Sequence, residues 1–180
     1  MKTQTGFTLI ELMMTVAIGG VLLLVAIPSY KTMVKNNCMT NDVNSLVSSL
    51  QQARSEAVKR HTNVTITAGN SADNTNEWGT GWKVTIHEDR NNNGTLDPGE
   101  DYNGNGTLED PVVRTVSLTC TNTTIDEKGD KTAFVYGSNG AVDKTGTFDV
   151  CDDRTGETGK QLSLSITGRP NTNSSFTGCN

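Results

Sequence analysis

Apolar positions fall along this chain in three successive patterns. From Phe7 to Ile27, 16 of 21 positions are apolar with no polar stripe between them. A helix of that length rises roughly 31 Å at about 1.5 Å per residue, close to the ~30 Å hydrocarbon thickness of a bilayer. The pattern therefore predicts one membrane-spanning helix over residues 7–28. It ends at Pro28, where a lost backbone donor and a clash with the carbonyl four residues earlier predict a kink. Beyond the proline, Val43, Leu46, Val47, Leu50, Ala53, Ala57 and Val58 recur at spacings of three and four, so residues 29–60 are expected to continue as an amphipathic helix with one apolar face. From residue 61 onward the pattern shortens to β-prone runs bounded by Gly, Asn, Asp or Pro: Val64 to Thr67, Trp82 to His87, Val112 to Leu118, Ala133 to Tyr136, Gly146 to Val150 and Leu162 to Thr167. Residues 171–180 read as an irregular tail. The expected fold class is α+β, a long N-terminal helix packed on an antiparallel β-sheet or small β-sandwich formed by residues 61–180.

Composition sharpens this division. Outside the apolar segment only about a quarter of the chain is apolar, against about 45–50 % in ordinary globular domains. The remainder is a core-poor domain that needs staples or partners. A single apolar stretch excludes a polytopic transporter. A net charge of -5 and a pI near 5.0 exclude a generally basic nucleic-acid-coating protein. His61 and His87 are isolated, and no nucleophile elbow, HExxH pair, P-loop or GxGxxG fingerprint occurs, which points away from an enzyme.

One residue conflicts with the apolar segment. Glu11 costs at least about 2.5 kcal/mol at mid-bilayer depth unless it lies near the interface or finds a partner. The string Gly6-Phe7-Thr8-Leu9-Ile10-Glu11-Leu12, followed by an apolar run to Ala26-Ile27-Pro28, resembles the class III signal of type IV pilins and type II secretion pseudopilins. The resemblance implies a leader of residues 1–6, cleavage after Gly6 by a prepilin peptidase, and methylation of the new amine on Phe7. It also implies a helix that waits in the inner membrane before joining a filament of other pilin or pseudopilin subunits, with the headgroup in the periplasm or at the cell surface. There the Glu11 carboxylate neutralises a neighbouring subunit's N-terminal ammonium, so that two charges costly in an apolar core satisfy each other.

Further along, Leu50-Gln51-Gln52-Ala53-Arg54-Ser55-Glu56-Ala57-Val58-Lys59-Arg60 followed by Asn63-Val64-Thr65-Ile66 is similar to the post-helix signature of the FimT/GspH subfamily. Gly81-Trp82-Lys83-Val84 and the LSLSITGR string from Leu162 to Arg169 resemble its central strand and its terminal strand with a glycine-arginine turn. This implies the type IV pilin fold and a minor pilin that initiates or caps a pilus, or alternatively a pseudopilin of a type II secretion machine. Some members of the FimT branch bind DNA through the glycine-arginine turn. Here Arg169 is kept but Asn171 stands where that motif has a second arginine, so only weak, salt-sensitive binding is expected. Lys160, Lys144, Arg154 and Arg114 are the candidates to join it.

Outside the cytoplasm, the even cysteine count without a CxxC spacing suggests two disulfides. Of three possible pairings, Cys151 with Cys179 and Cys38 with Cys120 are favoured, the first fastening the tail for on the order of 3 kcal/mol. Finally, Asp89 to Glu100 fits a twelve-position calcium loop, with ligands Asp89, Asn91, Asn93, the Thr95 carbonyl, Asp97 and a bidentate Glu100, and Gly94 at the sharp turn. Asp101 to Glu109 begins a second copy whose twelfth position is Val112, leaving only Glu109 or Asp110 to contribute.

Overall fold

The computed structural model describes residues 6–72, 75–118, 120, 122–154, 156 and 159–179, with Ser175 described by its backbone alone. The chain divides into two compact units, the first ending at Asn37 and the second spanning Cys38–Asn180. One helix, α1 (Leu9–Arg60), contributes to both and carries Pro28 inside it without a break in helical assignment.

In the first unit none of residues 6–37 is buried. The large apolar side chains from Phe7 to Ile27 are all exposed, Leu24 to 75 %. The helix is long and apolar enough to cross a membrane.

In the second unit the same helix buries Met39, Val43, Leu46, Leu50, Ala53 and Ala57. Val58, expected on that face, is instead 44 % exposed, because it lies about 100° round the helix from the fully buried Ala57, at the edge of the stripe. Among the described residues eight strands follow: β1 (Val64–Ala68), β2 (Trp82–Ile86), β3 (Val112–Val116), β4 (Thr123–Glu127), β5 (Ala133–Tyr136), β6 (Gly146–Asp152), β7 (Gly159–Leu164) and β8 (Pro170–Phe176). They form two four-stranded antiparallel sheets, ordered β3-β2-β1-β5 and β4-β6-β7-β8. Alternating burial along β1, with Val64, Ile66 and Ala68 inside, and along β2, with Trp82, Val84 and Ile86 inside, sets the register Val64↔Ile86 to Ala68↔Trp82. The buried helix residues and both sheets share a single hydrophobic core. At its centre Trp78 packs edge-on against Phe148 (5.2 Å between ring centroids) and tilted against Phe134 (5.8 Å).

Two strands escape the hydrophobic pattern. In β4 the inward positions are Thr123, Ile125 and Glu127, so a buried carboxylate takes a core position. Glu127 is satisfied there by the Thr147, Gly129 and Lys131 N–H groups and the Lys131 ammonium. The predicted irregular tail is corrected as well: Pro170–Phe176 is an edge strand pairing with β7 from Leu164↔Pro170 to Gly159↔Phe176. Its sequence, PNTNSSF, has no inward apolar alternation, and main-chain hydrogen bonds order it instead.

Candidate functional site

At the N-terminus, Thr8 and Glu11 form a capping box. Thr8 N–H and Oγ1 both donate to Glu11 Oε2 at 3.3 Å, and Glu11 N–H donates to Thr8 Oγ1 at 3.3 Å. The Thr-x-x-Glu spacing is itself the sequence signal for this arrangement. In the single chain, then, Glu11 satisfies orphan donors of its own helix while remaining exposed.

The Asp89–Glu100 loop folds around its own oxygens. Asp89 accepts Asn93 N–H (3.0 Å) and Gly94 N–H (2.8 Å), Asn93 Oδ1 accepts Thr95 N–H (2.8 Å), and Asp97 Oδ2 holds the Asn91 and Asn93 amides at 2.7 and 2.8 Å. Glu100 closes the loop, accepting Arg90 N–H at 3.1 Å and Asp97 N–H at 3.1 Å. Twelve residues on, the same bonds recur. Asp101 accepts Asn105 N–H (3.2 Å) and Gly106 N–H (2.9 Å), Asn105 Oδ1 accepts Thr107 N–H (2.8 Å), and Glu109 Oε1 holds the Asn103 and Asn105 amides at 2.8 and 2.6 Å. Gly94 and Gly106 take φ of 74° and 73° at equivalent positions, a left-handed conformation that favours glycine.

The closing carboxylate of the second loop is Glu88. It accepts Tyr102 N–H at 2.9 Å and Glu109 N–H at 3.1 Å, the counterparts of the Arg90 and Asp97 bonds to Glu100. Each glutamate thus immediately precedes one loop and closes the other. Both are buried, Glu88 at 0 % and Glu100 at 4 % exposure. Sequence reasoning, looking for a twelfth position downstream, missed Glu88, although the Glu-Asp pair repeats at 88–89 and 100–101. Tyr102 anchors the pair to the end of α1: its ring lies 4.9 Å from the Arg60 guanidinium and its hydroxyl accepts Arg90 Nη2 at 2.9 Å. His87 Nδ1 lies 3.0 Å from Asp110 and its Nε2 lies 3.2 Å from Asn92. Burial alone would lower its pKa, but these two contacts raise it.

Arg169 sits in the turn between β7 and β8. Gly168 needs its φ of 74°, and a Cβ there would clash with the Gly140 carbonyl. That carbonyl also accepts Arg54 Nε at 3.0 Å, so Arg54, rather than any of the four cations expected, joins Arg169 in lining an open groove of about 650 Å³. Arg114 instead reaches Ser48 and Gln52, Lys144 pairs with Asp143, Arg154 pairs with Asp152, and Lys160 lines a different depression. The four cysteines form disulfides Cys38–Cys120 and Cys151–Cys179, with Cα atoms 5.9 and 5.6 Å apart.

A family model described as type II transport protein GspH matches residues 42–173, and one described as the prokaryotic N-terminal methylation motif matches residues 1–27. Two fimbrial proteins of Pseudomonas aeruginosa are 48 % identical over 58 residues, 32 % of this chain; the chain spans 37 % of their length. Among solved structures, two crystal forms of the type IV minor pilin FimU of P. aeruginosa (strain PAO1) align with TM-scores of 0.57 and 0.52. They are 22 % and 23 % identical, covering 78 % and 74 % of this chain and 92 % and 91 % of theirs. At that identity the likeness speaks to the fold: a long N-terminal helix on antiparallel sheets.

Proposed function

The chain belongs to the GspH family and is a type IV pilin-like protein, and from that premise we propose that it serves as a minor type IV pilin, a low-abundance structural subunit rather than an enzyme. It helps initiate or cap a pilus used in adhesion, twitching motility or DNA uptake. The observation that carries this proposal is the first half of α1: an apolar helix with no cover of its own and one carboxylate at its start. Such a helix stays in the inner membrane until other subunits replace the lipid. Prepilin peptidase cuts after Gly6, Phe7 receives the methyl group, and Glu11 exchanges its capping bonds for a neighbour's N-terminal ammonium. The test is a chromosomal deletion scored for surface pili and for exoprotein secretion. Lost pili with normal secretion supports the proposal, and normal pili overturns it. Gly6→Ala should leave the longer precursor in the membrane; recovery of the shortened form from that variant sinks the cleavage assignment.

A second reading, a pseudopilin of a type II secretion machine, is favoured by the description of the matched family model. In that case the same deletion abolishes secretion and spares pili.

We further propose that the tandem loops bind calcium. Asp89, Asn91, Asn93, the Thr95 carbonyl, Asp97 and Glu100 supply one all-oxygen donor set. Asp101, Asn103, Asn105, the Thr107 carbonyl, Glu109 and Glu88 supply the other, which the equivalent hydrogen bonds of Glu88 and Glu100 support. Calcium would neutralise carboxylates that otherwise repel and so stiffen an exposed hairpin. Calorimetric titration of the full chain with calcium should lose one site in Glu88→Gln and one in Glu100→Gln relative to the parent; equal stoichiometry in Glu88→Gln and the parent removes Glu88 from the set. DNA binding at Arg169 is a weaker proposal. The groove shared with Arg54 supports it, and equal mobility shifts at low salt by the parent and Arg169→Ala would end it.

A further inference from the structure

Away from the loops and the groove, one group of acids is left unsatisfied. Glu77 lies in the connection between β1 and β2, and that segment is fastened to β4 and to the turn after it. Asn76 Oδ1 accepts Ile125 N–H (2.9 Å), Trp78 N–H donates to the Ile125 carbonyl (3.1 Å), and the Trp78 indole N–H donates to the Lys131 carbonyl (2.9 Å). Held this way, Glu77 is 1 % exposed. Its Oε2 accepts Glu127 N–H at 3.3 Å, but its Oε1 is buried without a hydrogen-bond partner among the described residues, as is Oδ1 of Asp126 on β4. Asp130, turning the chain after β4 with φ of 54°, brings a third carboxylate. The three offer oxygens all within 4.8 Å of one another.

A buried acceptor facing other acceptors is costly unless something positive lies between them. The cations nearest in sequence are engaged elsewhere. The Lys131 ammonium lies 3.2 Å from Glu127, and Lys128 lies 3.2 Å from Asp149.

We propose that Glu77, Asp126 and Asp130 hold a hard divalent cation of the calcium type, distinct from those of the tandem loops. The donor set is all carboxylate oxygen, which suits calcium and does not suit the softer metals. It grades outward from buried Glu77 through half-buried Asp126 to exposed Asp130, giving the ion a way in from solvent. Glu77 hangs from the β1–β2 connection of one sheet, while Asp126 and Asp130 belong to β4 and its turn on the other. The ion therefore fastens the two sheets together next to Trp78, which follows Glu77 in the chain and whose indole N–H donates to the carbonyl of Lys131, the residue after Asp130.

That indole supplies the readout. Terbium in place of calcium should luminesce when the full chain in detergent is excited at the red edge of the indole band, where Tyr102 by the loops does not absorb. The emission should be displaced by calcium. It should fall at least about tenfold in Asp130→Asn, an exposed isosteric change that tests ligation without disturbing the core, and likewise in Glu77→Gln; it should survive Glu100→Gln. Absence of indole-sensitised emission from the parent, or its survival in Asp130→Asn with circular dichroism unchanged, overturns the site and leaves Glu77 and Asp126 sharing a proton. Loss of emission in Glu100→Gln alone overturns it as well, because the signal then comes from the loops.

Discussion

The two halves of α1 carry the same kinds of apolar side chain, and these meet opposite fates. From Phe7 to Ile27 every large apolar side chain is exposed, whereas from Met39 to Ala57 a repeating apolar set is buried to within a few per cent. The difference lies in spacing. Residues spaced by three and four make a stripe that two small sheets can cover, but a helix apolar all round needs cover on every side, which the headgroup's limited apolar content cannot provide. Each half also carries one acid at odds with its apolar setting, Glu11 near the start of the first and Asp42 in the buried face of the second. Headgroup stability should therefore be indifferent to the first half and sensitive to the second.

The largest expected effect lies where the second unit begins. Cys38 is bonded to Cys120 across 82 residues, and Cys151 to Cys179 across 28. Loop-closure entropy assigns about 4.5 kcal/mol to the first and about 3.6 kcal/mol to the second. Replacing each pair by serine and following urea unfolding through Trp78 and Trp82 fluorescence should rank them in that order. A larger loss from the shorter bridge would show that ordering of β8, not chain entropy, dominates. Next, Leu50→Ala, at 0 % exposure, should cost about 3 kcal/mol. Leu22→Ala, at 64 % exposure, should change headgroup unfolding by less than about 0.5 kcal/mol. Comparable losses from the two would dissolve the contrast between the halves.

Glycines give a smaller version of the same test. A Cβ at Gly19 or Gly20 meets nothing within 4 Å, so alanine there leaves the headgroup untouched and favours the isolated helix by about 1 kcal/mol. At Gly168 a Cβ meets the Gly140 carbonyl and the Tyr136 ring in a left-handed turn, and Gly168→Ala should cost about 2 kcal/mol in the same urea experiment.

What the sequence revealed follows the same physical line. The apolar helix, the amphipathic face and the runs at Val64, Trp82 and Ala133 were legible because burial there is apolar and periodic. β4 was not, because its inward position 127 is a glutamate held by three backbone N–H groups, a local arrangement invisible to hydrophobic period. β8 was not, because its order comes from pairing with β7. Among the candidate sites, the first loop could be read because its residues are consecutive. Glu88 and Arg54 could not, since one closes a loop it precedes and the other reaches across 86 residues to the Gly140 carbonyl.

The smallest effects concern the two acids. Glu11 is exposed and engaged with Thr8, so Glu11→Ala should speed amide exchange at Thr8 to Leu12 and leave the headgroup's unfolding midpoint where it was. Asp42 is the opposite case: 3 % exposed, with Oδ2 lacking a hydrogen-bond partner among the described residues. Burial raises its pKa, and a hydrogen bond with the Thr123 side chain only partly opposes that. A carboxyl whose folded pKa lies above its unfolded one binds its proton more readily in the native state. Its contribution is therefore fully present below the unfolded pKa and is lost as pH rises through the folded one. Asp42→Asn should raise the thermal midpoint at neutral pH, and its advantage over the parent should shrink as pH falls through the carboxylate range. An advantage that does not change with pH would mean that the amide gains by packing or hydrogen bonding, and that the charge on Asp42 is no burden to the buried half of the helix.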